Sequence, residues 1–163
     1  MNRRDAFRTA GLSLAALGLG AGWAKSATAP AEVFEVVKTD AEWKKLLPPA
    51  AYETLRHEAT ERPNSSPLVN EHRKGTFNCA GCDLALYDSG TKYESGTGWP
   101  SFWDHLPDAV RTKEDNSWFT TRTEVHCRRC GGHLGHMFED GPKPTGLRYC
   151  MNGVAMNFVP AAA

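Results

Sequence analysis

The chain has 163 residues, enough for one domain with a buried core. Lysine plus arginine and aspartate plus glutamate number 19 each, so the charges cancel and nothing favours a polyanion such as nucleic acid as partner. With 15 glycines and 10 prolines and few helix-period stretches, the composition points to a β-rich or mixed fold with many turns.

Residues 1–31 read as an export signal: a basic head "MNRRDAFR", an apolar run "TAGLSLAALGLGAGW" and a small polar tail "AKSATAPA". The apolar run is shorter than the roughly 20 residues of a spanning helix, so an uncleaved membrane anchor is the weaker alternative. Arg3, Arg4, Phe7 and Arg8 resemble a twin-arginine signal, with two residues rather than one between the pair and Phe7. Cleavage after Ala31 or Ser26 would release a domain over 32–163 into the periplasm.

"AEVFEVVKTDAEWKKLLPPAAYETLRHEATE" predicts a short strand followed by two short helices. Thr39 and Glu42 have capping-box spacing, Pro48 and Pro49 separate the helices, and Trp43, Leu46 and Leu47 supply the buried face of the first. "ERPNSSPLVNEHRKG" is a polar loop. Short apolar pieces cut by turn residues follow: "TFNC", "LALYDS", "SWFTTRTEVHC", "HLGHMFEDG", "LRYCMNG" and "VAMNFV". They predict antiparallel strands.

Of five cysteines, Cys79 with Cys82 and Cys127 with Cys130 form two Cys-x-x-Cys pairs, each after a strand-like stretch. Two such turns can close a tetrahedral four-thiolate shell around a structural zinc ion. Two disulfides or redox dithiols are the alternatives, although no thioredoxin-like βαβ pattern accompanies the pairs. Arg128 and Arg129, inside the second turn, would offset thiolate charge. His72, His105 and His126 are loose candidates for a ligand exchange.

Cys150 is left over, either a buried filler or a reactive thiol. Strand alternation puts Arg148 and Asn152 on its side, and a guanidinium near a thiol favours the thiolate. "GGHLGHMFEDG" adds His133, His136 and Asp140, and "GTGWPSFW" adds Trp99, Phe102 and Trp103 as an apolar platform for a small ligand.

"SGTGWPSF", "HCRRCGGHLGHMFEDGP" and "LRYCMNGVAMNF" together resemble the B-type methionine sulfoxide reductases, zinc-binding subgroup, over roughly residues 39–159. The resemblance implies a mainly β fold of two antiparallel sheets, sandwich- or barrel-like, with short N-terminal helices and one zinc ion on four cysteines, far from the active site. It implies reduction of methionine-R-sulfoxide, peptide-bound or free, through a cysteine sulfenic acid, with Cys150 as nucleophile. His133, His136 and Asn152 would hold and protonate the sulfoxide, a histidine poised near neutral pH giving the proton. Trp99 would pack on the S-methyl group, with Phe102, Arg148 and Asp140 completing the substrate site.

Many members carry a resolving cysteine where this chain has Thr97. An external thiol, from a thioredoxin-like protein or a small molecule, would therefore regenerate Cys150. A monomer is expected. A zinc-stabilised binding module is the rival from another class. A zinc deaminase would need a His-x-Glu, and "HEATE" lacks the second histidine of a metalloprotease helix.

Overall fold

The computed structural model describes residues 32–117 and 120–162. The expected export signal therefore lies outside the described residues, as do Trp118 and Phe119 of the expected "SWFTTRTEVHC" strand. No described helix is long and apolar enough to cross a membrane.

The expected first strand does not form. Residues 33–38 run without a sheet partner, held by Val36 N–H donating to the Arg129 carbonyl at 3.0 Å. Helix α1 (Asp40–Leu46) opens on the predicted capping box, with Thr39 and Glu42 each bonding the other's backbone N–H. Helix α2 (Pro49–His57) has Pro49 in its first turn, where no intrahelical N–H is needed. Trp43 and Leu47 are buried, whereas Leu46, expected on the same face, is 55% exposed.

Among the described residues nine strands follow: β1 (Gly75–Cys79), β2 (Ala85–Asp88), β3 (Lys92–Tyr93), β4 (Ser101–Phe102), β5 (Val110–Asp115), β6 (Arg122–Cys127), β7 (His133–Phe138), β8 (Arg148–Met151) and β9 (Met156–Pro160). They form two antiparallel sheets, β2-β1-β9 and β3-β4-β8-β7-β6-β5. The strand β5, "VRTKED", carries no apolar alternation and was not expected. It is exposed along most of its length and forms the sheet edge, where charged side chains discourage further pairing.

The core lies between the sheets. Phe77 of β1 meets Phe102 edge-on with ring centroids 4.9 Å apart, and Tyr87 of β2 stacks on Phe102 at 4.3 Å. Leu86, Val125, Leu134 and Met151 complete it, all with no exposed surface. Phe102 is thus a core residue and not the substrate contact the sequence suggested. In its two-residue strand Ser101 and Phe102 project to opposite faces, and only Ser101 shares a face with Cys150.

Candidate active site and metal centre

The strand register places the chemistry in one line. Tyr93 pairs with Ser101, Ser101 with Cys150, Cys150 with His136, His136 with Glu124 and Glu124 with Lys113. Residues directly opposite across antiparallel strands project to one face, so a row of polar groups crosses the six-stranded sheet at right angles to its strands.

His133 joins this face by a local irregularity. Two residues three apart on a regular strand point to opposite faces. The register of β6 and β7 slips between Val125 and His126, and this bulge brings His133 opposite His126 while His136 stays opposite Glu124. The two imidazoles meet edge-to-face, 5.4 Å between centroids. The glycine between them is obligatory, because a Cβ at Gly135 would lie 2.2 Å from the Cys150 carbonyl oxygen.

Cys150 sits in a cleft of about 160 Å³ lined by Thr60, Trp99, Arg122, Gly135, His136, Phe138 and Asn152. Its thiol is half-buried, and burial pushes its pKa above the ordinary cysteine value. A hydrogen bond from Thr97 and the Arg148 guanidinium pull the other way and do not compensate. Arg148 favours the thiolate as expected, but burial outweighs it. Much of the Arg148 charge is spent on Asp140, in a bidentate pair at 2.7 and 2.8 Å, and the guanidinium stacks on Phe138 at 4.3 Å. Asp140 acts through Arg148 and does not line the cleft.

Both histidines also depart from expectation. Burial pushes His133 down to about 4, and burial likewise lowers His136, so each is neutral at pH 7 rather than poised near it. His136 Nε2 lies 2.8 Å from Asp115, and His133 Nδ1 lies 2.9 Å from the buried Glu124. Lys113 Nζ holds the other Glu124 oxygen at 2.7 Å. A second chamber of about 530 Å³, walled by Glu58, Asp115, Glu124, His133 and others, shares Thr60, Arg122 and His136 with the Cys150 cleft. His133 Nε2 and Arg122 Nε are buried without a hydrogen-bond partner among the described residues, a condition that costs about 1–3 kcal/mol per group.

Glu61, which the sequence left inside a polar loop, ties the site together. Its backbone N–H donates to Asn152 Oδ1 at 3.0 Å, and its carbonyl accepts Trp99 Nε1–H at 3.1 Å. Its carboxylate accepts the N–H groups of Gly153 and Val154 at 2.5 and 3.3 Å. Asn152 spends its amide nitrogen on the Leu134 carbonyl at 3.1 Å, so both ends of that side chain clamp the chain after Cys150. Arg122, Glu124 and Glu61 carried no motif of their own, and only their neighbours in space reveal them.

The four remaining cysteines meet as the sequence predicts. Cys79 ends β1 and Cys127 ends β6, and the four Sγ atoms all lie within 4.8 Å of one another. Cys79 and Cys130 sulfurs are 3.7 Å apart, and Cys82 and Cys127 sulfurs 3.5 Å. These spacings are too long for disulfides and match ligands around one tetrahedral ion. The crowding holds the Cys127 thiol far below its ordinary value, through hydrogen bonds from Cys130, Cys79 and Cys82, and a soft divalent cation such as zinc satisfies that donor set. Arg129 donates to the Cys82 carbonyl at 3.2 Å and Arg56 to the Cys130 carbonyl at 3.1 Å. Arg128 turns away to Glu35 and Asp108. Arg128 still interacts electrostatically with Cys127, and Arg129 likewise pairs with Glu35, at 3.7 Å. His72, His105 and His126 are not part of the cluster.

Comparison with known proteins agrees with this arrangement. Residues 47–160 match the SelR domain. A peptide methionine sulfoxide reductase MsrB of Methanosarcina barkeri is 56% identical over 124 residues, covering 76% of this chain and 87% of the relative. Proteins of the same name from Leptospira interrogans and Agrobacterium fabrum are 50% and 49% identical, over 77% of this chain and 96% and 94% of theirs. With this family match over most of its length, and with the four-cysteine centre and the Cys150 cleft both inside it, this chain belongs to the SelR domain family.

Proposed function

We propose that this protein reduces methionine-R-sulfoxide to methionine at Cys150, in repair of oxidised proteins. The observation that carries the reading is the cleft itself: a half-buried thiol, an indole wall held by Glu61 and an imidazole directly opposite on the next strand.

Attack by Cys150 sulfur transfers the sulfoxide oxygen. The S–O bond of the substrate breaks, an S–O bond to Cys150 forms, and two electrons pass from the cysteine to the substrate sulfur. Because burial keeps Cys150 protonated at rest, the thiol itself brings the proton that ends on oxygen as the sulfenic acid. Thr97 and the neutral His136 bound its route. Trp99 on one side and polar groups on the other make the pocket handed, which supports selectivity for one sulfoxide epimer.

Cys79, Cys82, Cys127 and Cys130 would hold zinc. Four protein ligands would leave such an ion no open position for substrate, and Cys79 on β1 with Cys127 on β6 would tie the two sheets together through it. No other cysteine then remains to resolve the sulfenic acid, so two external thiols, on a small molecule or a thioredoxin-like protein, return Cys150 to the thiol with release of water and a disulfide. Residues 1–31 direct the chain to the periplasm, by the twin-arginine route, in this reading.

The test uses protein lacking residues 1–31, dithiothreitol, and the separate R and S epimers of a blocked methionine sulfoxide. Reduction of the R epimer alone, lost in Cys150→Ser with zinc content retained, is the expected result. Folded, zinc-loaded protein that reduces neither epimer would favour a binding module on this scaffold.

A further inference from the structure

Beside the nucleophile, hydroxyl groups form a chain in which every hydrogen can be counted. Ser101 is only 1% exposed, and its Oγ lies 3.1 Å from the Trp99 carbonyl and 2.7 Å from Ser95 Oγ. Ser95 Oγ lies 2.8 Å from Thr97 Oγ1, which lies 3.8 Å from Cys150 Sγ. A carbonyl only accepts, so the single hydrogen of Ser101 goes to Trp99. Ser95 must then donate to Ser101, Thr97 to Ser95, and the thiol of Cys150 to Thr97. The Thr97 N–H, 3.4 Å from Ser95 Oγ, uses Ser95 as an acceptor once more and leaves this order unchanged.

Four hydrogens, one each on Cys150, Thr97, Ser95 and Ser101, thus serve four bonds, and the match exists only while Cys150 is a thiol. Loss of its proton leaves three hydrogens for the same four contacts. Thr97 then has to turn toward sulfur, and one bond of the chain is lost. We infer that Ser95 and Ser101 are positioning residues: anchored on the Trp99 carbonyl, they draw the Thr97 hydrogen away from sulfur and so keep a proton on Cys150 until substrate arrives. The inference rests on the reading of Cys150 as the reductase nucleophile and deepens it, because that proton is the one that ends on the sulfoxide oxygen. The chain also ties the thiol to the main chain of the residue whose indole walls the cleft. The charged and titratable groups around Cys150 are Arg148 on its own strand, His136 on β7, Arg122 on β6 and Tyr93 on β3. None of them belongs to the chain, so its effect can be read separately from theirs.

The experiment follows alkylation of Cys150 by iodoacetamide in the full chain as a function of pH. Mass spectrometry of the Cys150 peptide keeps the other cysteines out of the readout. The thiolate is the reacting form, so the midpoint of the profile reads the balance between thiol and thiolate. Ser101→Ala and Ser95→Ala each free the Thr97 hydroxyl to donate to sulfur. The midpoint should move to lower pH in both, with alkylation at pH 7 faster by about three- to tenfold. Ser101→Thr, which keeps a hydroxyl, should return the profile toward that of the unsubstituted chain. Thr97→Val should move it to higher pH, because sulfur then loses the Thr97 hydroxyl. Ser95 is only half-buried, so its variant carries the test if Ser101→Ala does not fold. A midpoint that rises in the two alanine variants would mean that each hydroxyl simply donates to the thiolate, and it overturns the inference; an unmoved midpoint does the same. Reduction of a blocked R-sulfoxide by the unsubstituted chain is measured alongside. Its absence, with the midpoints moving as expected, sinks the reductase reading and leaves the hydrogen count standing.

Discussion

Thr97 Oγ1 lies 3.8 Å from Cys150 Sγ, in a short chain of hydroxyls that continues through Ser95 to Ser101 at 2.8 and 2.7 Å. A sulfur placed there would be within easy reach of Cys150 after a small loop adjustment, and Gly96 and Gly98 flank the position. Thr97→Cys should therefore form an intramolecular disulfide after one turnover without reductant. The unsubstituted chain should instead keep a sulfenic acid that a dione reagent traps. Mass spectrometry after a single equivalent of substrate separates the two, and an intramolecular disulfide at Cys150 in the unsubstituted chain would end the one-cysteine cycle.

Glu61→Ala removes the carboxylate that holds Gly153 and Val154 N–H, just past β8. Two part-buried donors lose their partner, a cost of about 1–3 kcal/mol. The same loop holds the Trp99 indole, so loosening it should raise KM about tenfold as the wall and Asn152 move apart. Steady-state kinetics on a blocked R-sulfoxide, beside thermal unfolding, checks both; lowered stability with KM unchanged would leave Glu61 a purely structural residue.

Removal of metal should destabilise the domain as a whole. The cluster joins β1 of the small sheet to β6 of the large one, and Val36 and Arg56 lean on the same turns. Cys127→Ser, or prolonged chelation, is expected to cost several kcal/mol and to abolish bound zinc. Denaturant midpoints with and without zinc measure this. An unaffected midpoint would mean that the four cysteines are packing residues.

His133 makes stability depend on pH. Burial lowers its folded-state pKa to about 4, while the unfolded chain keeps about 6.5. Between those values the unfolded chain binds the extra proton, so stability falls as pH drops from about 6.5 toward about 4 and is little changed by this residue above or below. The full effect is about 3 kcal/mol at pH 4. Urea midpoints across that window should slope upward with pH, and the slope should flatten in His133→Asn. Parallel slopes in the two proteins would show that other groups carry the dependence.

What was legible in the sequence was local. The capping box at Thr39 and Glu42, the proline break between the helices, the two Cys-x-x-Cys turns and the glycine-aromatic segment at Trp99 each consist of neighbours along the chain, and each appears as read. The four-cysteine centre was legible because short turns fix their own geometry and four thiolates admit few partners. The strand β5 was not, because an edge strand buries little and shows no apolar alternation. Phe102 reads as a platform residue beside Trp99 along the chain, yet alternation in β4 sends it into the core.

Only the tertiary structure set the protonation states and the second layer of the site. Burial of Cys150 outweighs the Arg148 beside it, and burial of His133 and His136 drives both away from neutral pH. Desolvation depends on what the whole fold packs around a group and not on its neighbours in sequence. In the same way, the bulge that turns His133 to the side of His136 comes from the pairing of β6 with β7. Glu61, Glu124 and Arg122 reach the site from distant positions. The sequence by itself determined which side chains are candidates for the chemistry. The register of six strands determined which of them face one another, because a hydrogen bond requires an approach in space that chain order does not encode.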